Sequence, residues 1–447
     1  MNEILTKSQS RRSFLKYVGA GVALSMAGFR SFAQTPFLFG LAVPTSTYFG
    51  AAAEKAARLA VDEVNAAGGV LGTPLDVIVE DSGGRGDQAL LSVQALASRG
   101  AGFMGGFFFS EELIGAIPAL QTSGKLFLGT GASTPVATIN IATDYDKNKN
   151  FFRVGPANSF FILQEAVTFT IGLLEHGLGW DGIVLFAEDA AWNKPITDSF
   201  AKLLAAFGSK VQVADVIRYN EGTTDFTPLF NQAVASMKGK KGGLFAVMAH
   251  TGTRPTSQWA SQQVPLPLVG INVQAQDGQF DALTSGASQS VVTFSAASRA
   301  PITSLTIPFV DAFSNYSFNP GVNVPSYNAY YTYDAIRLFK TVAQAVGTLP
   351  TSAANLGAII TELESYNKDK TFLATTGNLS FFSQGETGVS PIAPQYAFPH
   401  DLRFGGSYGD GVWIQWQNGK QEVIFPPKAP DGQTGLITAA FALPPWL

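Results

Sequence analysis

A chain of 447 residues is long enough to bury a sizeable core and to divide into two lobes. With 46% hydrophobic and 14% charged residues and a formal charge of −4, it offers nucleic acid little to bind. It has no cysteine, which excludes disulfides, thiolate metal sites and cysteine nucleophiles.

The first stretch reads as a leader. Ser10-Arg11-Arg12-Ser13-Phe14-Leu15-Lys16 precedes an apolar run over 17–27, well short of the ~20 residues that span a bilayer, and Ser31-Phe32-Ala33 follows. This is the pattern of a twin-arginine signal with cleavage after Ala33, and it predicts a protein exported to the periplasm. Removing 1–33 leaves 24 Lys and Arg against 32 Asp and Glu, a net charge of −8.

Beyond the leader the hydrophobic pattern predicts a βαβ unit. Residues 37–43 are an apolar run of the kind that suits a strand covered on both faces, and Pro44 ends it. A hydroxyl-rich loop over 45–50 leads into a helix with Ala53, Ala56, Ala57, Ala60, Val61 and Val64 on one face. Glu54, Lys55, Arg58, Asp62 and Glu63 are expected outside that face. The helix should stop at Gly68-Gly69, where glycine takes the left-handed conformation without a Cβ penalty. A returning strand over 75–79 ends in Glu80-Asp81.

The pattern repeats. A helix is predicted over 88–99, a strand over 101–109 ending at Ser110, a helix over 111–123 with Glu111 and Glu112 at its positive end, and a strand over 126–129. The loop Thr130-Gly131-Ala132-Ser133-Thr134-Pro135 follows. In open α/β sheets ligands bind outside the carboxyl ends of the strands. Hydroxyls in three successive loops there would converge on one crevice, beside free backbone N–H groups that suit a carboxylate or amide oxygen. Ser110, Ser133 and Thr134 are also placed to cap helices and turns, which is compatible with binding.

Residues 139–150 read as a surface loop. A second series follows, with strands over 182–187, 211–218, 243–249 and 266–270 and helices over 159–177 and 192–207. Glu188-Asp189-Ala190-Ala191-Trp192-Asn193 lies at the end of the first of these strands, and His250 at the end of the third, facing the crevice. Asp225 is placed to cap the next helix. The fourth strand leads into Asn272, Gln274 and Asp277. A further strand is expected over 291–296, helices over 304–314 and 327–346, and a hairpin turning at Asn418-Gly419. No H-x-x-x-H or P-loop occurs, and the residues call for no catalysis, metal or cofactor.

The opening order, a strand ending in Pro44, a Ser/Thr-Tyr-Gly loop, a helix ending A-V-D-E-V-N-A-A-G-G-V-L-G and a strand ending in Glu80-Asp81, resembles type I solute-binding proteins of the branched-chain amino-acid import family. So do Ser326-x-x-Ala329-x-x-x-Tyr333-Asp334-Ala335, Thr376-Gly377-x-x-x-Phe381 and Trp416-x-x-Gly419-Lys420 with Pro426-Pro427. The resemblance covers about 37–427. It implies two doubly wound Rossmann-like α/β lobes joined by three hinge crossings, with lobe 1 formed by 34–152 and 296–377 and lobe 2 by 153–295 and 378–447. It implies a monomer that closes on a small molecule and delivers it to an ABC transporter permease, while a sensor component would use the same fold. The carried-over contacts are Ser110, Ser133 and Thr134, with Gly131 in the same loop and Tyr48 as a wall. Trp192 stands where relatives commonly have Tyr. Relatives pair an acidic residue after the fourth strand of the second lobe with the ligand's ammonium. Here Asn272 and Gln274 hold the near positions and Asp277 comes later. An aromatic or branched aliphatic carboxylate or amide is therefore the expected ligand.

Overall fold

The computed structural model describes residues 34–409, 411–430 and 434–447, so the predicted signal lies outside the described residues. The first lobe is built from β1 (Phe37–Val43), α1 (Tyr48–Ala66), β2 (Leu75–Asp81), α2 (Gly86–Ser98), β3 (Phe103–Gly106), α3 (Ser110–Ser123), β4 (Phe127–Gly129), α4 (Val136–Thr143), α5 (Tyr145–Asn148) and β5 (Phe151–Arg153). Its five strands are parallel in the order β2-β1-β3-β4-β5. β2 lies on one side of β1 and β3 on the other, so the loops after β1 and β3 diverge and leave a crevice.

The apolar face predicted for α1 is buried as expected, and Thr47 caps its start by accepting from the Gly50 amide at 3.0 Å. Gly68 and Gly69 close its end with φ of +93° and +76°. Lys55 departs from the prediction. Its side chain is fully buried, donates to the carbonyls of Val322 at 2.8 Å and Asn319 at 3.3 Å, and lies over the Phe313 ring. A lysine can leave the solvated face when carbonyls take its protons. The expected loop over 139–150 is also largely helical, because Asn148 donates to the carbonyls of Asn140 and Asp144 and closes the end of α4. Polar side chains cap this segment and do not break it.

The second lobe follows with α6 (Ser159–Phe169), β6 (Gly182–Glu188), α7 (Lys194–Ala206), β7 (Gln212–Tyr219), α8 (Thr227–Ser236), β8 (Gly242–Met248), α9 (Thr253–Ser261), β9 (Leu268–Asn272) and α10 (Phe280–Leu283). Its sheet is parallel in the order β7-β6-β8-β9 and so has the same switch, between β6 and β8. Asp225 accepts from the first amide of α8 at 2.9 Å, as its spacing predicts. β10 (Val292–Ser295) pairs with the later hairpin.

The chain then returns to the first lobe through α11 (Thr306–Asn315) and α12 (Tyr327–Val346), the latter held to α1 by Asn328 on the Phe49 carbonyl and Tyr333 on Glu63. α13 (Ala353–Glu364), β11 (Phe372–Leu373) and β12 (Asn378–Leu379) follow. Hairpin β13 (Val412–Gln417) and β14 (Lys420–Phe425) turns at Asn418 and Gly419, both at positive φ, and adds to β10. The tail ties onto this lobe through the Trp446 indole on the Val264 carbonyl.

Within 378–447 the described residues of 412–447 contact the second lobe and those of 380–404 the first. That Gly/Pro-rich segment runs along the open side of β5. The Arg153 amide donates to the His400 carbonyl at 2.9 Å, Asp401 is ion-paired with Arg153, and the Phe381 amide donates to the Tyr366 carbonyl. An exposed edge of unpaired backbone groups is a liability, and the segment covers it.

Candidate ligand site between the lobes

The carboxyl ends of both sheets face each other across one cleft of about 610 Å3, part of it open to solvent. The first lobe contributes Phe108, Phe109 and Ser110 after β3 and Gly131 and Ser133 after β4. The second contributes Trp192 after β6, Ala249 after β8, and Ile271, Val273 and Gln276 along β9 and its following turn. Tyr327 and Tyr331 enter from α12, Phe294 and Ser295 from β10, and Phe404 from the end of the 380–404 segment. No Asp, Glu, Lys, Arg or His side chain lines it.

Four of the predicted residues, Ser110, Gly131, Ser133 and Trp192, stand in this wall. Ser110 opens α3, and its Oγ accepts from the Thr134 amide at 3.0 Å, which leaves its proton free. Gly131 lies so close to the loop after β3 that a Cβ would come 2.1 Å from the Phe107 carbonyl oxygen. Its own carbonyl accepts from the Tyr327 hydroxyl at 2.8 Å. The Ser133 carbonyl accepts from the amide and hydroxyl of Ser159. Behind this loop Arg153 donates to the carbonyls of Ala132 and Thr134. In a trans peptide the C=O and the next N–H point oppositely, so pinning the Ala132 carbonyl to Arg153 turns the Ser133 amide away from Arg153. Gly155 lies flat against the Tyr331 ring, 2.3 Å from a Cβ position, and holds that ring in place.

The other six predicted residues lie outside the wall. Tyr48 donates to the Val324 carbonyl at 2.5 Å, and burial raises its pKa. Thr134 faces Arg153 and Ser110. Asn272 donates to Thr256 at 3.2 Å. Gln274 accepts from the Thr253 amide and hydroxyl and donates to the His250 carbonyl, so it ties two loops together. Asp277 accepts from the Gln279 amide, and burial pushes its pKa up to about 6. Gln276, two residues later than predicted, takes the cavity position because 273–276 form a 3-10 turn. Tyr327 and Tyr331, expected as core and hinge packing, line the cavity as well. They are four residues apart and so share one helix face, a spacing that the sequence displays.

His250 sits at the mouth. Its ring stacks on Phe109 of the opposite lobe at 4.3 Å, and Glu111 reaches across from α3 to accept from the Ala191 amide at 2.9 Å. The lobes are thus closed on each other. Buried Glu188 accepts from the His250 ring at 2.7 Å, from the amides of Ala249 and His250, from the Thr251 hydroxyl and from the Trp192 indole at 3.4 Å.

Burial opposes charge on both partners, but their hydrogen bond and mutual attraction outweigh it. His250 is held above the ordinary 6.5 and Glu188 below the ordinary 4.5, with Glu221 and Glu111 adding to the upward pull on His250. A histidine with a raised folded pKa stabilises fully below its unfolded value and loses that contribution as pH rises through the folded value. A carboxylate with a depressed folded pKa contributes above its unfolded value and loses the contribution as pH falls through the folded one. The melting-temperature advantage of the wild type over His250→Gln is therefore expected to shrink as pH is raised from about 6 to about 9. An advantage that stayed constant over that range would mean that the pair is not charged.

A family model for periplasmic binding proteins matches residues 37–394. The Leu/Ile/Val-binding protein homolog 1 of Brucella abortus (strain 2308) is 30% identical over 127 residues, 28% of this chain, and the match spans only about a third, 34%, of the curated relative's own length. Among solved structures, the substrate-binding protein LivJ from Streptococcus pneumoniae in complex with isoleucine aligns with a TM-score of 0.68 at 20% identity. It covers 88% of this chain and 100% of that one. A solute-binding protein from R. palustris in complex with benzoate aligns at 0.68 and 16% identity, covering 87% and 95%. At these identities the structural matches bear on the fold, which agrees with the two doubly wound lobes described above. With the family match running from β1 almost to the end of the 380–404 segment, the chain belongs to the periplasmic binding protein family.

Proposed function

We propose that this protein is an extracytoplasmic solute-binding protein. It captures a small polar, aromatic or branched amino-acid-like ligand between its lobes and presents the closed form to an ABC importer in the inner membrane. The observation that carries this reading is the cleft formed by strand ends of both lobes and bridged by Phe109 on His250 and Glu111 on the Ala191 amide. Hinge closure supplies the mechanism. Ligand binds the first lobe in an open form, and contacts available only from the second lobe stabilise the closed form. No chemical step is needed, and the leader pattern supports a periplasmic site of action. The solved relatives with isoleucine and with benzoate support a small carboxylate as the kind of ligand this fold takes.

A ligand that binds only the folded state stabilises it by about 2.7 kcal/mol at a hundred times its dissociation constant. Thermal denaturation of residues 34–447 against a panel of amino acids, aromatic acids and amides is expected to give at least one such shift. Scattering should show a more compact particle with that ligand than without. A strain lacking this chain should lose uptake of the same compound; loss of a response to the compound with uptake intact would make the protein a sensor. A ligand whose shift survives Ser110→Ala and Trp192→Ala unchanged would place binding elsewhere.

A further inference from the structure

We propose that the cavity selects small monocarboxylates with an aromatic or branched hydrocarbon body and rejects the corresponding α-amino acids. This rests on the reading of the interlobe cavity as the ligand site and goes beyond it in naming the ligand class. The polar groups at the first-lobe end of the cavity offer hydroxyl and amide protons. The hydroxyl of Ser110 accepts from the Thr134 amide, and its own proton has no partner in the protein. Tyr331 lines the cavity with its hydroxyl unbonded, and the amides of Gly131 and Ser133 make no hydrogen bond to the protein.

The neighbouring carbonyls each hold a donor already. The carbonyl of Gly131 holds Tyr327, that of Ser133 holds Ser159, and those of Ala132 and Thr134 hold Arg153. A carboxylate placed here meets hydroxyl and amide donors at the first turn of α3, where the helix dipole also favours negative charge. An ammonium placed beside it meets no carboxylate in the wall, since Glu111, whose Oε2 makes no hydrogen bond, lies outside it.

The second lobe does not repair this. Buried Glu188 already accepts from five donors, and buried Glu112 from four. Asp277 is outside the cavity wall. Gln276 is in the wall, but its oxygen accepts from the Tyr327 amide at 3.0 Å and Ser295 at 3.2 Å, and its nitrogen donates to the Phe294 carbonyl at 2.9 Å. The rest of that side is Trp192, Ile271, Val273, Phe294 and Phe404, which suits hydrocarbon. A buried ammonium with no counter-charge in the wall is costly to desolvate, and deleting it removes the cost.

The test uses matched pairs that differ only in the amino group: 3-phenylpropanoate against phenylalanine and 4-methylpentanoate against leucine, titrated calorimetrically into residues 34–447. At least one acid is expected to bind roughly tenfold or more tighter than its amino acid. Equal or tighter binding of both amino acids overturns the proposal, and so does failure of both acids to bind. Ser110→Ala, with its melting temperature recorded as a check on folding, separates this failure from that of the site itself. If the variant weakens whichever probe binds, the site stands and only the ligand class is in question. If it leaves that affinity unchanged, the site reading falls and the class inference with it.

Discussion

Asp401→Asn is expected to cost about 3–5 kcal/mol of folding stability, the usual penalty for leaving one partner of a buried ion pair alone. The Arg153 and Asp401 side chains are 1% and 0% exposed, and Arg153 Nε lies 2.8 Å from Asp401 Oδ1. Asp401 Oδ2 also accepts from Thr138 at 2.8 Å and Asn158 at 2.9 Å, so the carboxylate joins α4, the start of α6 and β5. Burial lowers the Arg153 pKa while Asp401 works to raise it. Without Asp401 a fully buried guanidinium keeps only the carbonyls of Ala132 and Thr134. Because those carbonyls set the loop over 131–134, ligand affinity should fall together with stability. Chemical denaturation of residues 34–447 measures the first effect and titration the second. The double variant Asp401→Asn with Arg153→Met should recover part of the loss, since neither charge then remains unpaired. A loss below about 1 kcal/mol for Asp401→Asn would put this contact in the range of solvated surface pairs.

Gly131→Ala is the second large effect. The added Cβ would come 2.1 Å from the Phe107 carbonyl oxygen and 2.9 Å from the Phe108 Cα, so backbone must move against backbone. The loop after β3 cannot yield easily. Phe107 sits at φ +60°, its amide donates to the Ala42 carbonyl at 2.7 Å, and its ring stacks on Phe127 at 4.9 Å. Overpacking of this kind costs about 1–3 kcal/mol. Here the strain falls on the loops that carry Ser110 and Ser133, so the ligand-induced rise in melting temperature should disappear while the protein remains folded. A variant that keeps the full rise would show that these loops can part without disturbing binding.

Much of this architecture is legible in the sequence because it is local. A strand that ends at Pro44, a helix that ends at Gly68-Gly69 and a hairpin at Asn418-Gly419 are set by backbone preferences over a few residues. In a doubly wound sheet the strand ends are also where the cleft must be, and the pattern together with the family resemblance pointed there to Ser110, Gly131, Ser133 and Trp192. The lapses share a cause too. Within a loop, pattern does not say which side chain turns inward. After β8 it is Ala249 that faces the cavity, while His250 turns to the mouth. After β9 a 3-10 turn brings in Gln276 in place of Asn272, Gln274 or Asp277.

The sequence by itself determined two α/β lobes, the strand ends that border the cleft and the lack of any nearby pairing carboxylate at the expected positions. Only the tertiary structure decided the rest of the wall. Tyr327 meets Gly131 across nearly two hundred residues of chain. Phe404 arrives on a segment whose place along β5 is set by a buried Arg153 and Asp401 pair. Strand and helix periods follow from hydrogen bonds between near neighbours. The polarity of the cavity depends on which carbonyls are already bonded by distant side chains, and that is a property of packing.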